Sequence, residues 1–370
     1  MVRKINVGSL RIGFDTICGL IALISFSQII VGCNPEIKFP QVREFNPSWM
    51  SSAKELSSIQ LVSSDEFVSA RDFAVYNDSI IVVTNKPIKG KCFIELVRLD
   101  NKKSVGNYIL YGNGPGEMLN VSSHLRNDSL YVHDFAKHQI LTLNLGAAIN
   151  SDSYRLPLPV TFCRNAGSPF VTQMDEDRII MLNPYYCENQ ELGISNREDR
   201  FIVINEDEKP SLLYEHSRKY YSYNIEQGFI VPVHSKNRIV FCSAFYPVVE
   251  FYDFKLNPLV KVTGPIDLEP HFRIQDGEIS FYKGVPYAYR GYALGNNCIY
   301  LAYIGSLLKR NERLQDKQSW IFKFDWNGNL LDTFHTDKYV GSLSVSSDER
   351  AFYARGFDED GNIVLWKLIK

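Results

Sequence analysis

Asn77-Asp-Ser-Ile-Ile-Val-Val83 is a polar turn followed at once by a short apolar strand, and the same pattern returns five more times along the chain. The later copies are Asn127-Asp-Ser-Leu-Tyr-Val-His133, Glu176-Asp-Arg-Ile-Ile-Met-Leu182, Lys236-Asn-Arg-Ile-Val-Phe-Cys242, Asn296-Asn-Cys-Ile-Tyr-Leu-Ala302 and Asp348-Glu-Arg-Ala-Phe-Tyr-Ala354. A period of about 50 to 60 residues is the scale of one propeller blade. After each copy comes a second strand-like run: Phe93 to Leu99, Gln139 to Leu143, Phe201 to Ile204, Val248 to Tyr252, Trp320 to Phe324 and Ile363 to Leu368. Asn, Asp and Gly between such runs tolerate positive φ, as hairpin turns require. Past residue 70 no long helical periodicity competes. Six similar antiparallel units are best buried by radial stacking, so the expected fold is an all-β six-bladed propeller of four-stranded antiparallel blades.

The ends of the chain fit that ring. The last strand-like run, Ile363 to Ile369, would be the third strand of the last blade. Its missing outer strand is expected from the N-terminal side, near Leu56 to Val62, which would close the ring and cover an edge. Residues 51–370 are therefore assigned to the propeller.

Composition agrees. Of 370 residues, 45% are hydrophobic and 22% charged, which excludes a disordered chain. Its 21 Tyr and 23 Phe against 5 Met favour pleated surfaces. Net charge is −2 with no basic stripe, so nucleic acid is not an expected partner.

The first residues read as an export signal. Arg3, Lys4 and Arg11 precede an apolar run from Ile17 to Val31. That run falls short of the roughly 20 residues of a membrane span and suits a signal peptide. It ends in Ile30-Val31-Gly32-Cys33, with a small residue before a cysteine. Residues 1–32 are expected to be removed, leaving Cys33 lipidated and the mature protein anchored to the outer membrane, on its periplasmic face or at the cell surface. Residues 33–50, with Pro35, Pro40 and Pro47, read as a tether.

Directly after the strands of the first unit stands Tyr111-Gly-Asn-Gly-Pro-Gly-Glu-Met118. With the lipobox and the repeat, this segment resembles the Bacteroides-type lipoproteins of the TolB-like six-bladed β-propeller family, whose members carry a similar Gly-x-Gly-Pro-Gly-Glu run. The resemblance covers nearly all of residues 34–370. It implies the propeller architecture and an envelope location, and it implies no particular reaction.

Motifs of chemistry are few. Gly112-Asn-Gly-Pro-Gly-Glu117 lacks the Gly-Lys-Ser/Thr ending of a phosphate loop, and Pro115 removes an amide. It reads as a tight inter-blade loop, with a ligand-facing loop of Gly112, Asn113, Gly114, Gly116 and Glu117 as the functional alternative. Asp358-Glu-Asp-Gly-Asn362 has Ile363 and Ile369 where a calcium loop needs Gly and an acidic residue, and reads as a hairpin turn. The seven histidines form no HExxH, no cysteines form a CxxC pair, and no GxSxG or Asp box occurs. No metal site, cofactor or catalytic residue is assigned. Cys92, Cys163, Cys187, Cys242 and Cys298 are expected to be buried thiols, with one disulfide allowed by the compartment. Two Tyr-rich stretches remain, and Tyr220, Tyr221, Tyr223, Tyr287, Tyr289 and Arg290 are the candidate aromatic binding surface, with Arg273 nearby. The expected function is a lipid-anchored, non-catalytic binding or scaffold module for an envelope protein or glycan. The alternatives are an envelope enzyme, a glycan- or lactone-directed hydrolase or lyase with its site in the channel, and an assembly partner of an outer-membrane complex.

Overall fold

A computed structural model describes residues 38–63, 66–151, 153–161, 171–175, 178–182, 200–205, 227–266, 268, 271–275 and 278–370. Cys33, Cys163, Cys187, Tyr220, Tyr221 and Tyr223 lie outside the described residues, as do the signal sequence and the first part of the tether, residues 33–37. Three strands precede the first blade: β1 (Gln41–Glu44), β2 (Lys54–Glu55) and β3 (Ser57–Val62). Blade 1 is β4 (Ala70–Tyr76), β5 (Ile80–Asn85), β6 (Cys92–Arg98) and β7 (Ser104–Leu110). Blade 2 is β8 (Val121–Arg126), β9 (Ser129–Asp134), β10 (Gln139–Asn144) and β11 (Val160–Thr161). Blade 3 has three described strands, β12 (Val171–Gln173), β13 (Arg178–Leu182) and β14 (Phe201–Asn205). Blade 4 is β15 (Gly228–Val233), β16 (Arg238–Ser243), β17 (Val248–Tyr252) and β18 (Pro258–Thr263), and a hairpin of β19 (Phe272–Gln275) and β20 (Glu278–Phe281) follows it. Blade 5 is β21 (Val285–Leu294), β22 (Ile299–Leu308), β23 (Ser319–Phe324) and β24 (Leu330–Thr336). Blade 6 is β25 (Ser342–Val345), β26 (Ala351–Phe357) and β27 (Ile363–Ile369), completed by β3.

The apolar part of every copy of the sequence repeat falls on a blade's second strand, and every following run falls on its third; Glu176 and Asp177 of the third copy lie outside the described residues. The turns explain the polar residues. Asn77 and Asp78 take φ of 46° and 53°, and Asn127 and Asn237 take 51° and 50°, a region that Asn and Asp enter at low cost. Three hairpins share another lock. In Asp253 to Asn257, Asp325 to Asn329 and Asp358 to Asn362, the first carboxylate accepts the backbone N–H of the Asn four residues on, at 2.8–2.9 Å. The last of these is the hairpin read from Asp358-Glu-Asp-Gly-Asn362.

The second and third strands carry apolar residues on both faces because each is sandwiched between neighbouring blades. The core is accordingly divided into six apolar clusters, one per blade–blade contact. The contact of blades 4 and 5 is the most aromatic, with Tyr289, Tyr303, Phe322 and Phe324 all buried. Blades 3 and 4 meet differently. There Arg200 Nε lies 2.9 Å from Glu250 Oε2 with both side chains buried, and Tyr252 donates to the same carboxylate at 2.6 Å.

Ring closure follows expectation. β3 pairs antiparallel with β27, Leu365 opposite Val62 and Ile369 opposite Ser57, and Val62 is fully buried between blades 6 and 1. The preceding segment differs from the tether read in the sequence. β1 adds parallel to β18, and β2 adds parallel to β24, so residues 41–55 run as a strap over the outer edges of blades 4 and 5. Phe45 is the reason the strap holds. Its side chain is buried in the blade 4–blade 5 cluster, 4.6 Å from the Phe322 ring, and its N–H donates to Thr263 O at 2.6 Å. Lys54 adds a salt bridge to Asp332 at 2.6 Å. Pro40 and Pro47 flank β1 without breaking it, since a proline is tolerated at the margins of an edge strand.

Candidate functional site

The first strand of each blade lines the central channel. These strands run side by side, so the channel has a leading end, where they begin, and a trailing end, where they finish. Between blades 1, 2, 5 and 6 the channel widens into a cavity of about 370 Å³. Asp72, His124, Arg126, Arg290, Tyr292 and Ser342 are among its lining side chains. A smaller cavity of about 240 Å³ at the leading end is bounded by Arg71, Asp72, Gly341 and Arg355. Asp72, Thr84, Ser123 and Gly341 border both spaces.

Asp72 sits in the channel wall. One oxygen, Oδ1, accepts from Ser342 Oγ at 2.7 Å and from the Phe73 N–H at 2.8 Å. Desolvation raises its pKa, and the Ser342 hydrogen bond and the Arg355 charge act against that rise. His124 hydrogen-bonds Thr172 Oγ1 at 2.9 Å and stacks on Tyr131, ring centroids 5.2 Å apart. Desolvation, helped by the charge of Arg126, pushes its pKa down to about 3, so at neutral pH it is an uncharged imidazole. Arg126 donates from Nη1 to Gln173 O at 3.0 Å and Pro232 O at 3.1 Å, and its guanidinium lies 4.2 Å over Tyr131. Tyr292 stacks on Phe229 at 5.5 Å, and burial pushes its pKa up to about 12.

The carboxylates at the trailing end have partners within the fold. Asp128 accepts from Tyr76 Oη at 2.9 Å. Glu349 accepts from Tyr300 Oη at 2.6 Å and pairs with Lys323 at 3.3 Å. Among the described residues no three of His, Cys, Asp and Glu are grouped to hold a metal ion.

Of the residues chosen from the sequence, Arg290 and Tyr287 lie on the channel strand β21, the guanidinium 3.7 Å over the Tyr287 ring. Tyr289 does not belong to a binding surface. The irregular register of β21 against β22 between Tyr287 and Tyr289 turns it away from the channel, and it is fully buried between blades 4 and 5, 5.0 Å from Tyr303. Arg273 is exposed on the hairpin outside the blades. The loop of Gly112, Asn113, Gly114, Gly116 and Glu117 closes on itself instead of presenting its acid to a ligand. Glu117 Oε2 accepts the Gly114 N–H at 2.7 Å, and Lys137 Nζ donates to the Glu117 carbonyl at 2.6 Å. The carboxylate lies where a Cβ on Gly112 would stand, and Gly116 takes φ of 75°. Those two constraints account for the glycines. Cys242 and Cys298 are buried free thiols, and Cys92 is half-buried. Asp134, at the end of β9, is structural: it gathers the N–H groups of Leu119 at 2.7 Å and Ala136 at 2.8 Å.

Asp72, Arg126 and Arg355 were not singled out in the sequence, and His124 was given no role. The signal that points to them is positional. They stand on, or directly behind, the strand that precedes or carries each repeat turn, which is the strand nearest the axis.

Comparison with known proteins bears on the fold. No curated protein matches the sequence. Among solved structures, a member of the DUF4221 family from Bacteroides vulgatus superposes with a TM-score of 0.50 at 12% identity, covering 86% of this chain and 97% of that one. A protein from Bacteroides fragilis described as exported gives 0.49 at 14% identity, over 89% of this chain and 99% of that one. Virginiamycin B lyase from Staphylococcus aureus gives 0.42 at 11% identity, over 85% and 99%. At these identities the likeness is one of fold alone. The TolB-like 6-blade propeller-like family model matches residues 61–348, from the closing strand through blade 5 and into the first strand of blade 6, and the chain belongs to that family.

Proposed function

We propose that this protein is a lipid-anchored envelope module that binds a ligand, a glycan or a segment of a partner protein, in the channel of its propeller. The observation that carries this reading is the engagement of the channel's ionisable groups. Glu349 and Asp128 are held by tyrosines, and His124 by Thr172 and Tyr131. Each of these groups is already committed to a partner within the fold, whereas catalysis needs an acid and a base free to act on one substrate. What faces the open space is a mixture of hydroxyl, guanidinium, carboxylate, imidazole and aromatic groups, the composition of a polar recognition surface. The lipid anchor rests on the sequence pattern Ile30-Val31-Gly32-Cys33 after its apolar run.

Two measurements test the reading. Crosslinking in intact membranes with a photoreactive group at Ser123, which borders both cavities, is expected to capture a specific adduct absent when the group is placed on the outer rim. Equal labelling at both positions would end the channel reading. Cys33→Ala is expected to release the protein from membranes, and full retention would end the anchor.

One observation favours the enzymatic alternative. Asp72, with its raised pKa and its second oxygen toward the channel, is the group best suited to proton transfer. For a hydrolase or lyase, Asp72→Asn would abolish turnover of a bound glycan or lactone while leaving its affinity within a few-fold.

A further inference from the structure

Three arginines gather at the leading end of the channel from three different blades. Arg290 comes from β21, Arg355 from β26, and Arg71 from β4. Arg290 is poorly provided for. Its one described hydrogen bond runs from Nη2 to Pro286 O at 3.4 Å, the long limit of such a contact, and its Nε is shielded from solvent with no acceptor. Its guanidinium lies on the Tyr287 ring at 3.7 Å, with Phe245 at 6.0 Å. Arg355 is placed alike: Nε is buried without an acceptor, and the guanidinium lies 4.7 Å from Phe357 and 6.0 Å from Tyr339. Tyr339 stands between the two and feels both charges, and its hydroxyl is hydrogen-bonded by Arg355, so Arg355 is better provided for than Arg290. Arg71 at the rim donates to Asn120 Oδ1 and Val121 O, each at 3.1 Å.

Among the described residues none of these arginines forms a salt bridge. Arg71 and Arg355 border the smaller cavity with Asp72, whose Oδ1 is taken by Ser342 and Phe73 and which feels both of their charges. Arg290 borders the larger cavity, where Asp128 and Glu349 are engaged by tyrosines. Asp72 is thus shared by two arginines, and Arg290 has no described carboxylate partner. The inner strands are also shaped to leave room. A Cβ on Gly341 would collide with Arg355 Nη1, and one on Gly291 would come within 3.0 Å of Ser342 Cα. Glycine at these two positions lets blades 5 and 6 approach and lets Arg355 reach the channel.

A guanidinium withdrawn from water without a counter-charge is unfavourable, and a neutral ligand does not relieve it. A free Nε beside an Nη offers the two parallel donors that match a carboxylate or phosphate edge. We propose that Arg290 and Arg355, with Arg71 at the rim, bind the oxyanion of a ligand, a carboxylate or phosphate group, at the leading end of the channel. This rests on the reading of the channel as a binding site and gives that site its ligand class: an acidic glycan, an acidic peptide end or a free oxyanion. The flanking Tyr287 and Tyr339 rings hold the guanidinium planes in place, so the fork is pre-set before the ligand arrives.

The test is calorimetric titration of the full chain in detergent with D-glucuronate, acetate and inorganic phosphate, and with D-glucose as the neutral control. Binding of an oxyanion, absent for glucose and weakened by salt, is expected. Arg290→Met and Arg355→Met should each weaken it by about tenfold or more, the loss of one charge-assisted bidentate contact. Arg290→Lys, which keeps the charge and loses the fork, should fall between. Unchanged melting of the lysine variant guards against misfolding as the cause. Glucuronate bound more tightly than acetate and phosphate identifies an acidic sugar as the source, and equal affinities identify a free oxyanion. Absence of oxyanion binding, or binding that survives both methionine substitutions, overturns the proposal. The crosslinking at Ser123 is independent: a captured channel ligand together with no oxyanion affinity would refute the ligand class and leave the binding module standing.

Discussion

Arg126 and Arg290 both line the same channel, one at its trailing end and one nearer its beginning, and they are used in opposite ways. Arg126 is a strut. It ties the carbonyl of Gln173 in blade 3 to that of Pro232 in blade 4 while resting on Tyr131 of its own blade. Among the described residues Arg290 makes no hydrogen bond across a blade boundary; its single carbonyl partner, Pro286, lies four residues away on its own strand. Charge and length are the same, so residue type alone does not say which arginine holds the ring and which awaits a ligand. The acceptors around each one do.

That contrast can be broken or sharpened by substitution. The largest effect should come from the seam on which both ends depend. Removing residues 1–62 takes away β3, the buried Val62 and the Phe45 anchor at once. The remaining chain is expected to lose its cooperative melting transition, and a deletion that melts as the intact chain does would refute closure by the N-terminal strand. Next in size is Arg126→Met. It leaves two carbonyls short of a donor and should cost about 3 kcal/mol in urea unfolding. A cost below about 1 kcal/mol would show that Arg126 is no strut. His124 comes third and is read by pH. Its folded pKa, about 3, lies below the unfolded value of 6.5, so the unfolded chain binds more protons between those values. Its contribution is fully present above pH 6.5 and is lost as pH falls toward 3. His124→Gln should flatten the stability profile over that window, and an unchanged slope would place the acid sensitivity elsewhere. Smallest is Arg290→Met, expected within about 1 kcal/mol of the native chain because no cross-blade bond is lost. A penalty as large as that of Arg126→Met would erase the contrast.

The sequence reveals the outer frame of the molecule far better than its centre. Second and third strands are sandwiched between blades, so they carry apolar runs such as Ile80 to Val83 and Trp320 to Phe324 that stand out against the turns before them. The inner strands are different. Ser122-Ser-His-Leu-Arg126 and Ser342-Leu-Ser-Val345 face blades on one side and open space on the other, and their mixed composition resembles a loop. The candidate site is built largely on those strands, which is why Asp72 and Arg126 drew no attention. Arg290 did, because it stands in a Tyr-rich run, but the run hides its own alternation: Tyr287 flanks the arginine while Tyr289, two residues on, is displaced into the core by the irregular register of β21 against β22. The strap was missed for another reason. Gln41 to Glu44 is an exposed edge strand whose polar residues give no hydrophobic signal, and it is held by a parallel ladder and by Phe45 just beyond it.

The strap also sets a leash. Seven residues lie between Cys33 and Gln41, eight steps along the chain, and an extended chain spans at most about 3.5 Å per step. With Cys33 in a bilayer, the outer edge of blade 4 stays within roughly 28 Å of the lipid surface. Under the proposed anchoring the ring would hang by its flank, moored at blades 4 and 5, and a pull on the anchor would load the β1–β18 ladder along its length. Blades 1 and 2, across the ring, would then swing farthest out, and the mouth of the channel would meet only partners within that reach.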